Sequence, residues 1–158
     1  MINLERTVDR EIIKAITTDP RIWDAISEDG SPKREEYEPP VDGAVYVLVR
    51  ADGEPRGLFV LVPHSAIRWE VHTLLLPELS PWRKLEAAAR CREWVFANTP
   101  CESLYTEIPE FNSAAYGFAI AAGMKEFGRE KRAFLKNNRL YDIAWLAIHR
   151  PAVTDAQR

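Results

Sequence analysis

Apolar positions recur with two different periods along the chain, which separates predicted helices from predicted strands. Near the start, apolar residues three and four positions apart predict a helix over residues 8–17 with Thr7 as its cap, and Asp19-Pro20 begins another helix. A short extended segment, residues 2–6, precedes them. Residues 29–42 are polar and contain three prolines, which indicates an exposed loop.

The middle of the chain has the two-residue period of strands. Residues 43–50 and 57–62 are rich in β-branched and aromatic side chains, and Asp52-Gly53 between them is a tight-turn pair, so we expect a hairpin. A third strand is predicted over residues 67–76, with alternate side chains on opposite faces. The residues on one of its faces are Glu70, His72, Leu74 and Leu76.

The second half of the chain alternates helix and strand before a final hairpin. Ser80-Pro81 marks the start of a long helix that ends near residue 97. Four elements follow, namely a strand over 103–108, a helix over 112–122, and strands over 127–136 and 139–149. Because the long helix connects two strands, it implies a parallel pair. We therefore predict an α+β fold, with a mixed, mostly antiparallel sheet of six to seven strands, one parallel pair and helices on both faces.

Length and composition agree with one globular domain. The chain has 158 residues, of which 46% are hydrophobic and 28% charged, so we expect a domain over residues 1–150 and a loose tail over 151–158. The longest uncharged run, 111–124, is shorter than the roughly 20 residues that span a bilayer. The N-terminus has no apolar signal core. Cys91 and Cys101 fit reduced thiols, and we expect a cytoplasmic protein.

Charge and motifs exclude several function classes. The net charge of −3 gives no overall attraction to nucleic acid, although residues 125–139 are basic. The seven glycines form neither a dinucleotide fingerprint nor a phosphate-binding loop, and no nucleophile elbow is present. The histidines and cysteines lack metal-ligand spacing, so no metal is expected. The sequence leaves a homo-oligomer open.

One segment carries a more specific spacing. Asn112 is followed by Ala115 three residues later and by Gly123-Met124 eleven and twelve residues later. Together with the element order, this spacing resembles the GNAT N-acetyltransferase superfamily, whose members often have Gly-Phe where this chain has Gly-Met. The resemblance covers residues 43–149.

The final hairpin resembles one branch of that superfamily. Glu126-Phe127-Gly128-Arg129, Arg132 and Asp142 look like the strand and the following acid of the branch that contains ribosomal-protein alanine N-acetyltransferases. The resemblance implies direct transfer of an acetyl group from acetyl-CoA, as co-substrate, to a primary amine.

The superfamily resemblance also implies where acetyl-CoA lies. In the family, two parallel strands diverge, the pantetheine arm bonds to main chain in the gap, and the pyrophosphate meets the N-terminus of the next helix. An amide in the gap would also stabilise the oxyanion of the thioester. The cofactor-binding residues that follow are Leu74, Leu75, Leu76, Trp82, Arg83, Lys84, Leu85 and Asn112.

Three residues are candidates for the base that takes the amine proton. Glu70 lies on the central strand where family bases often occur and can act through water. His72 shares its face and could assist or replace it. Glu107 on the next strand is a third candidate. Two of them have a structural alternative: Glu70 as a solvated or salt-bridged strand residue, and His72 as a hydrogen-bonded core or cleft histidine. Asn112, likewise, can simply cap its helix.

The sequence departs from the family pattern in two places. Residues 80–87 have no glycine, and Pro81 lacks an N–H, so the side chains of Arg83 and Lys84 would have to meet the phosphates. Ala119 stands where many members have a tyrosine that protonates the departing thiolate. The alternative is therefore a catalytically silent binding or structural module, in which Trp82 and Leu85 fill the cofactor cleft.

Overall fold

Seven strands form one mixed sheet that carries helices on both faces. The computed structural model of the chain describes residues 1–153, so most of the predicted tail, residues 154–158, lies outside the described residues. The strands are β1 (Ile2–Thr7), β2 (Val45–Ala51), β3 (Glu54–Pro63), β4 (Arg68–Leu75), β5 (Ser103–Pro109), β6 (Lys125–Lys136) and β7 (Arg139–His149). The helices are α1 (Arg10–Thr17), α2 (Pro20–Ile26), α3 (Pro81–Asn98) and α4 (Ser113–Ala121), with a short 3₁₀ helix at Arg34–Glu36.

The strand order confirms the predicted α+β architecture. The order across the sheet is β1-β2-β3-β4-β5-β7-β6. Every neighbouring pair is antiparallel except β4 and β5, which are parallel and joined by α3. Both predicted hairpins are present, and their turn residues, Asp52-Gly53 and Asn137-Asn138, all have the positive φ that such turns require.

The first helix starts later than the sequence pattern indicated. Thr7 is the last residue of β1, where it pairs with Tyr46, so the chain is still extended there. The predicted Thr7 cap is therefore wrong. Asp9 is the cap instead, and its carboxylate accepts hydrogen bonds from the amides of Glu11 and Ile12 at 3.0 and 3.3 Å.

Two apolar clusters lie on opposite faces of the sheet. The α3 face includes Val71 and Leu104, packed with Cys91 and Val95 of the helix. On the other face, α1 and α2 pack on residues of β2, β3 and β4 such as Leu48 and Leu74. In the described part of the chain, that second cluster takes no residue from β5 or β7. On this face of the sheet, the surface around Tyr105 and Glu107 is therefore formed by polar and aromatic side chains. No helix within residues 1–153 is long and apolar enough to cross a membrane.

Gly57 provides a stability test, because β3 passes very close to the end of β4 there. A Cβ at this position would lie 2.7 Å from the carbonyl oxygen of Leu74 and 3.0 Å from Cα of Leu75. We expect Gly57→Ala to lower the free energy of unfolding by about 1–3 kcal/mol, the usual range for overpacking.

Gly117→Ala is the matched control for that variant. A Cβ at Gly117 would meet nothing within 4 Å, and the residue lies inside α4. Alanine there should raise the free energy of unfolding by up to about 1 kcal/mol through helix propensity. Urea denaturation of both variants measures the difference, and a Gly57→Ala protein as stable as wild type would contradict the close approach.

Candidate active site

The parallel ladder between β4 and β5 is short. It consists of three consecutive pairs, from Arg68–Ser103 to Glu70–Tyr105. Beyond them, β4 keeps pairing with β3 and β5 keeps pairing with β7. Each strand therefore retains its outer neighbour while a gap opens between the two.

The direction of the main chain in this gap follows from two hydrogen bonds. The Ile67 carbonyl accepts from Ser103 N–H on the β5 side, whereas Leu76 N–H donates to the Arg56 carbonyl on the β3 side. Because successive residues of a strand direct their N–H and C=O groups to opposite sides, odd-numbered residues of β4 face β5. The main chain of Thr73 consequently faces the gap.

The same alternation refines the predicted segment Leu74 to Leu76. Leu75 directs its main chain into the gap, and Leu74 directs its main chain toward β3. Leu74 still lines the cavity into which the gap opens. The Leu76 amide is already used by Arg56, at 2.9 Å, so the expectation that Leu76 donates to a ligand is wrong.

The gap opens into a cavity of about 780 Å³. Its walls come from β4, β5, α3 and α4, and one end lies against Pro81, Lys84 and Leu85 in the first turn of α3. This volume is within the range of about 300–1,000 Å³ that is typical of small-molecule sites. The cavity therefore connects the diverging strands to a helix N-terminus.

The start of α3 has amides without an acceptor inside the helix. Pro81 has no N–H, and Lys84 N–H donates to the Ser80 carbonyl at 3.0 Å. The amides of Trp82 and Arg83 lie in the first turn, where helix geometry provides no carbonyl. Ser80 occupies the cap position, but its hydroxyl makes no capping bond and is buried without a partner in the described chain.

Two side chains in the first turn of α3 lie elsewhere than the sequence predicted. Trp82 is 62% exposed and does not line the cavity, so the idea that its indole fills the cleft is wrong. The Arg83 guanidinium lies 2.7 Å from the Asp52 carboxylate in the β2–β3 turn, and Arg83 does not line the cavity. Lys84 is the basic residue of the first turn that lines the cavity, and Leu85 lines it as well.

Four polar side chains share the sheet face that carries α1 and α2: Glu70 and His72 of β4, and Tyr105 and Glu107 of β5. The Glu70 side chain is 11% exposed. His72 Nε2 lies 2.6 Å from its Oε1, and the Tyr105 hydroxyl donates to its Oε2 at 3.1 Å. His64 Nε2 lies 3.4 Å from Oε2. The hydrogen bond with His72 lowers the pKa of Glu70 below its usual range, although burial opposes this.

His72 and Glu107 line the cavity, whereas Glu70 does not. Burial raises the pKa of the Glu107 carboxyl above its usual range, and the nearby charge of Glu70 raises it further. Glu130 and Glu28 add smaller effects in the same direction. This end of the cavity is therefore acidic.

The β6–β7 hairpin encloses the acidic end. The Asp29 carboxylate accepts hydrogen bonds from the amides of Asn137 and Asn138 at 2.9 and 2.7 Å. The Lys136 ammonium donates to the carbonyl of Ser27 at 2.6 Å. These contacts join the segment after α2 to the hairpin tip, and side chains from both sides of the junction, including Glu28 and Phe134, line the cavity. No pattern in the sequence indicated this junction.

The remaining candidates have structural roles or do not reach the cavity. Asn112 caps α4 through a hydrogen bond from Ala115 N–H to its Oδ1 at 3.1 Å, and it also lines the cavity. All five tyrosines lie in residues 1–153, and none lines the cavity. Cys91 does line it, but burial raises the pKa of its thiol to about 12, so a thiolate is not available. No group of three potential ligands in the described chain could hold a metal ion.

Comparison with known proteins supports the fold. No family model matches the chain, and no curated protein sequence matches it. A spermidine N-acetyltransferase from Vibrio cholerae, solved with CoA and spermine, superposes with a TM-score of 0.77 at 16% identity, covering 94% of this chain and 95% of that one. An N-acetyltransferase from Staphylococcus aureus Mu50 gives 0.73 at 16% identity, covering 94% and 97%. A probable acetyltransferase gives 0.71 at 12%, covering 94% and 93%. The chain has the GNAT fold of these acetyltransferases.

Proposed function

We propose that the protein is an acetyl-CoA-dependent N-acetyltransferase that acts on a primary amine. The observation that carries the proposal is the interrupted β4–β5 ladder, which opens into a cavity ending at the first turn of α3. The fold shared with the N-acetyltransferases supports it.

The residues around the cavity fit acetyl-CoA chemically. The main chain of Thr73 and Leu75 offers donors and acceptors to the amides of a pantetheine arm. An N–H in the same gap would polarise the thioester carbonyl. At the far end, the amides of Trp82 and Arg83 and the ammonium of Lys84 are suited to the pyrophosphate. The unpartnered Ser80 hydroxyl adds a polar group there.

In the catalytically silent alternative, Trp82 and Leu85 would fill the cleft. Trp82 lies outside the cavity, and Leu85 lines a cavity of about 780 Å³, which favours the transferase proposal. The missing tyrosine does not exclude catalysis, because a thiol has a pKa of about 8.5 and its thiolate leaves readily near neutral pH. In our proposal the thiolate departs without a tyrosine acid.

We further propose that the acceptor is a cationic amine. Glu28 and Glu107 line the cavity end opposite Lys84 and would attract positive charge. The neighbour from Vibrio cholerae was solved with spermine, which is a polyamine. A peptide with an N-terminal alanine is the competing acceptor, because the final hairpin resembles the branch that contains ribosomal-protein alanine N-acetyltransferases.

Binding of acetyl-CoA tests the first part of the proposal. Isothermal calorimetry should detect the wild-type complex, and Lys84→Ala should weaken it about tenfold or more, since a charged hydrogen bond contributes about 1.5–3 kcal/mol. Arg83→Ala is the matched control and should have a smaller effect, because Asp52 already holds the guanidinium. No wild-type binding at high micromolar acetyl-CoA would remove the transferase proposal.

Glu107→Gln tests the acidic end of the cavity, where we propose that the amine acceptor binds. Because burial raises the pKa of Glu107, its charged form destabilises the fold at neutral pH, and this penalty disappears as the pH falls below the unfolded value of about 4.3. We expect the variant to be more stable than wild type at pH 7 and equal to it near pH 3. It should also raise KM for spermidine.

The control for that variant is Glu54→Gln, an exposed position on β3. It should change neither the stability nor KM. Thermal unfolding at both pH values and a thiol-release assay with spermidine, a monoamine and an alanine-terminated peptide make the measurements. A Glu107→Gln protein that is less stable at pH 7, with unchanged KM, would refute an acidic acceptor site.

A further inference from the structure

The Glu70 carboxylate is poorly placed to act as the base itself. It is almost fully buried and contributes nothing to the cavity wall. Its Oε2 already accepts the Tyr105 hydroxyl, and its Oε1 lies at 2.6 Å from His72. Tyr105 is itself held by the Arg68 guanidinium, 3.8 Å above its ring, and by stacking on Trp145. A carboxylate in this position orients a neighbour more readily than it reaches a substrate.

His72 has the complementary placement. Its side chain is 45% exposed and lines the cavity. At 2.6 Å from the Glu70 carboxylate, which can only accept a hydrogen bond when it is ionised, Nε2 is the ring nitrogen suited to carry the proton. In a neutral imidazole the other nitrogen, Nδ1, then holds the free lone pair. Within residues 1–153, no hydrogen bond occupies Nδ1.

We infer that His72 is the general base of the proposed acetyl transfer, acting through Nδ1, and that Glu70 is its positioning residue. Glu70 fixes the tautomer with Nε2–H and stabilises the imidazolium that forms, while Tyr105 and His64 hold Glu70 in place. This inference rests on the proposed function, since it assigns the proton transfer of that reaction.

The step balances with groups that the proposal already contains. The acceptor ammonium gives one proton to Nδ1 of His72, and the free amine attacks the thioester carbon. The carbon–nitrogen bond forms, the carbon–sulfur bond breaks, and the thiolate keeps the electron pair. The second amine proton goes to the thiolate, and the imidazolium then returns its proton to water.

The charges around His72 favour this role. Glu70 lies beside it on β4, and Glu107 faces it from β5. His64, in the connection between β3 and β4, reaches the same carboxylate from the other side. On β3, the residue paired with His72 is the apolar Val60. Two carboxylates therefore flank His72, and His64 shares one of them, that of Glu70.

The pH dependence of variants separates His72 from Glu70 as the base. With spermidine as the probe, wild-type kcat/KM should fall on the acidic side as a histidine is protonated. His72→Gln should abolish this acidic fall in kcat/KM and lower kcat about 100-fold or more, as expected for loss of a general base. Glu70→Gln should keep this acidic fall and lower kcat about tenfold or more, because the carboxylate that fixes the tautomer of His72 is lost.

His149→Gln is the control, because this histidine is exposed at the end of β7 and should leave the profile unchanged. If Glu70 were the base, the result would be reversed. Glu70→Gln would then remove the acidic fall in kcat/KM, and His72→Gln would retain it with little loss in kcat. That outcome overturns the inference.

A spectroscopic measurement tests the interaction of His72 with Glu70 without requiring the acetyl-transfer reaction. Long-range ¹H–¹⁵N spectra of histidine-labelled protein should show His72 as the Nε2–H tautomer at neutral pH, and Glu70→Gln should disturb it. A dominant Nδ1–H tautomer in wild type would overturn the inference. If wild type transfers no acetyl group, the proposed function fails, and this tautomer measurement still decides whether Glu70 positions His72.

Discussion

The end of the parallel ladder after Glu70 is the constraint on which the candidate site depends. Two strands that stay paired to their outer neighbours but separate from each other leave main-chain groups, such as those of Thr73, without a strand partner. The gap is therefore suited to an extended ligand that carries its own amides, and the cavity leads such a ligand to the first turn of α3.

The same interruption arranges the chemistry on the sheet face. Glu70 and Tyr105 form the last ladder pair, so they stay close enough for a hydrogen bond, and His72 comes next on the open side of that pair. The buried carboxylate is thereby fixed at the apex of the gap, and the histidine faces the cavity. The two ends of the cavity carry opposite charges, with the basic Lys84 at the α3 end and the acidic Glu107 at the other.

Local patterns predicted the fold well because they reflect local physics. The two-residue period put Glu70 and His72 on one face, and the helix between two strands required a parallel pair. Contacts between distant segments could not be read in this way. Asp52 takes the Arg83 guanidinium, and Asp29 binds the turn at Asn137, across separations that no periodicity encodes. The β1 pairing that displaced the first helix cap is likewise a tertiary effect.

The most direct test of the account is amide hydrogen exchange in β4, measured by NMR with and without saturating CoA. The account predicts that the amides of Thr73 and Leu75 exchange more slowly when CoA is bound, because they face the gap. The amides of Leu74 and Leu76 face β3 and should not change. Bound CoA with unaltered exchange at Thr73 and Leu75 would contradict a ligand held between the diverging strands.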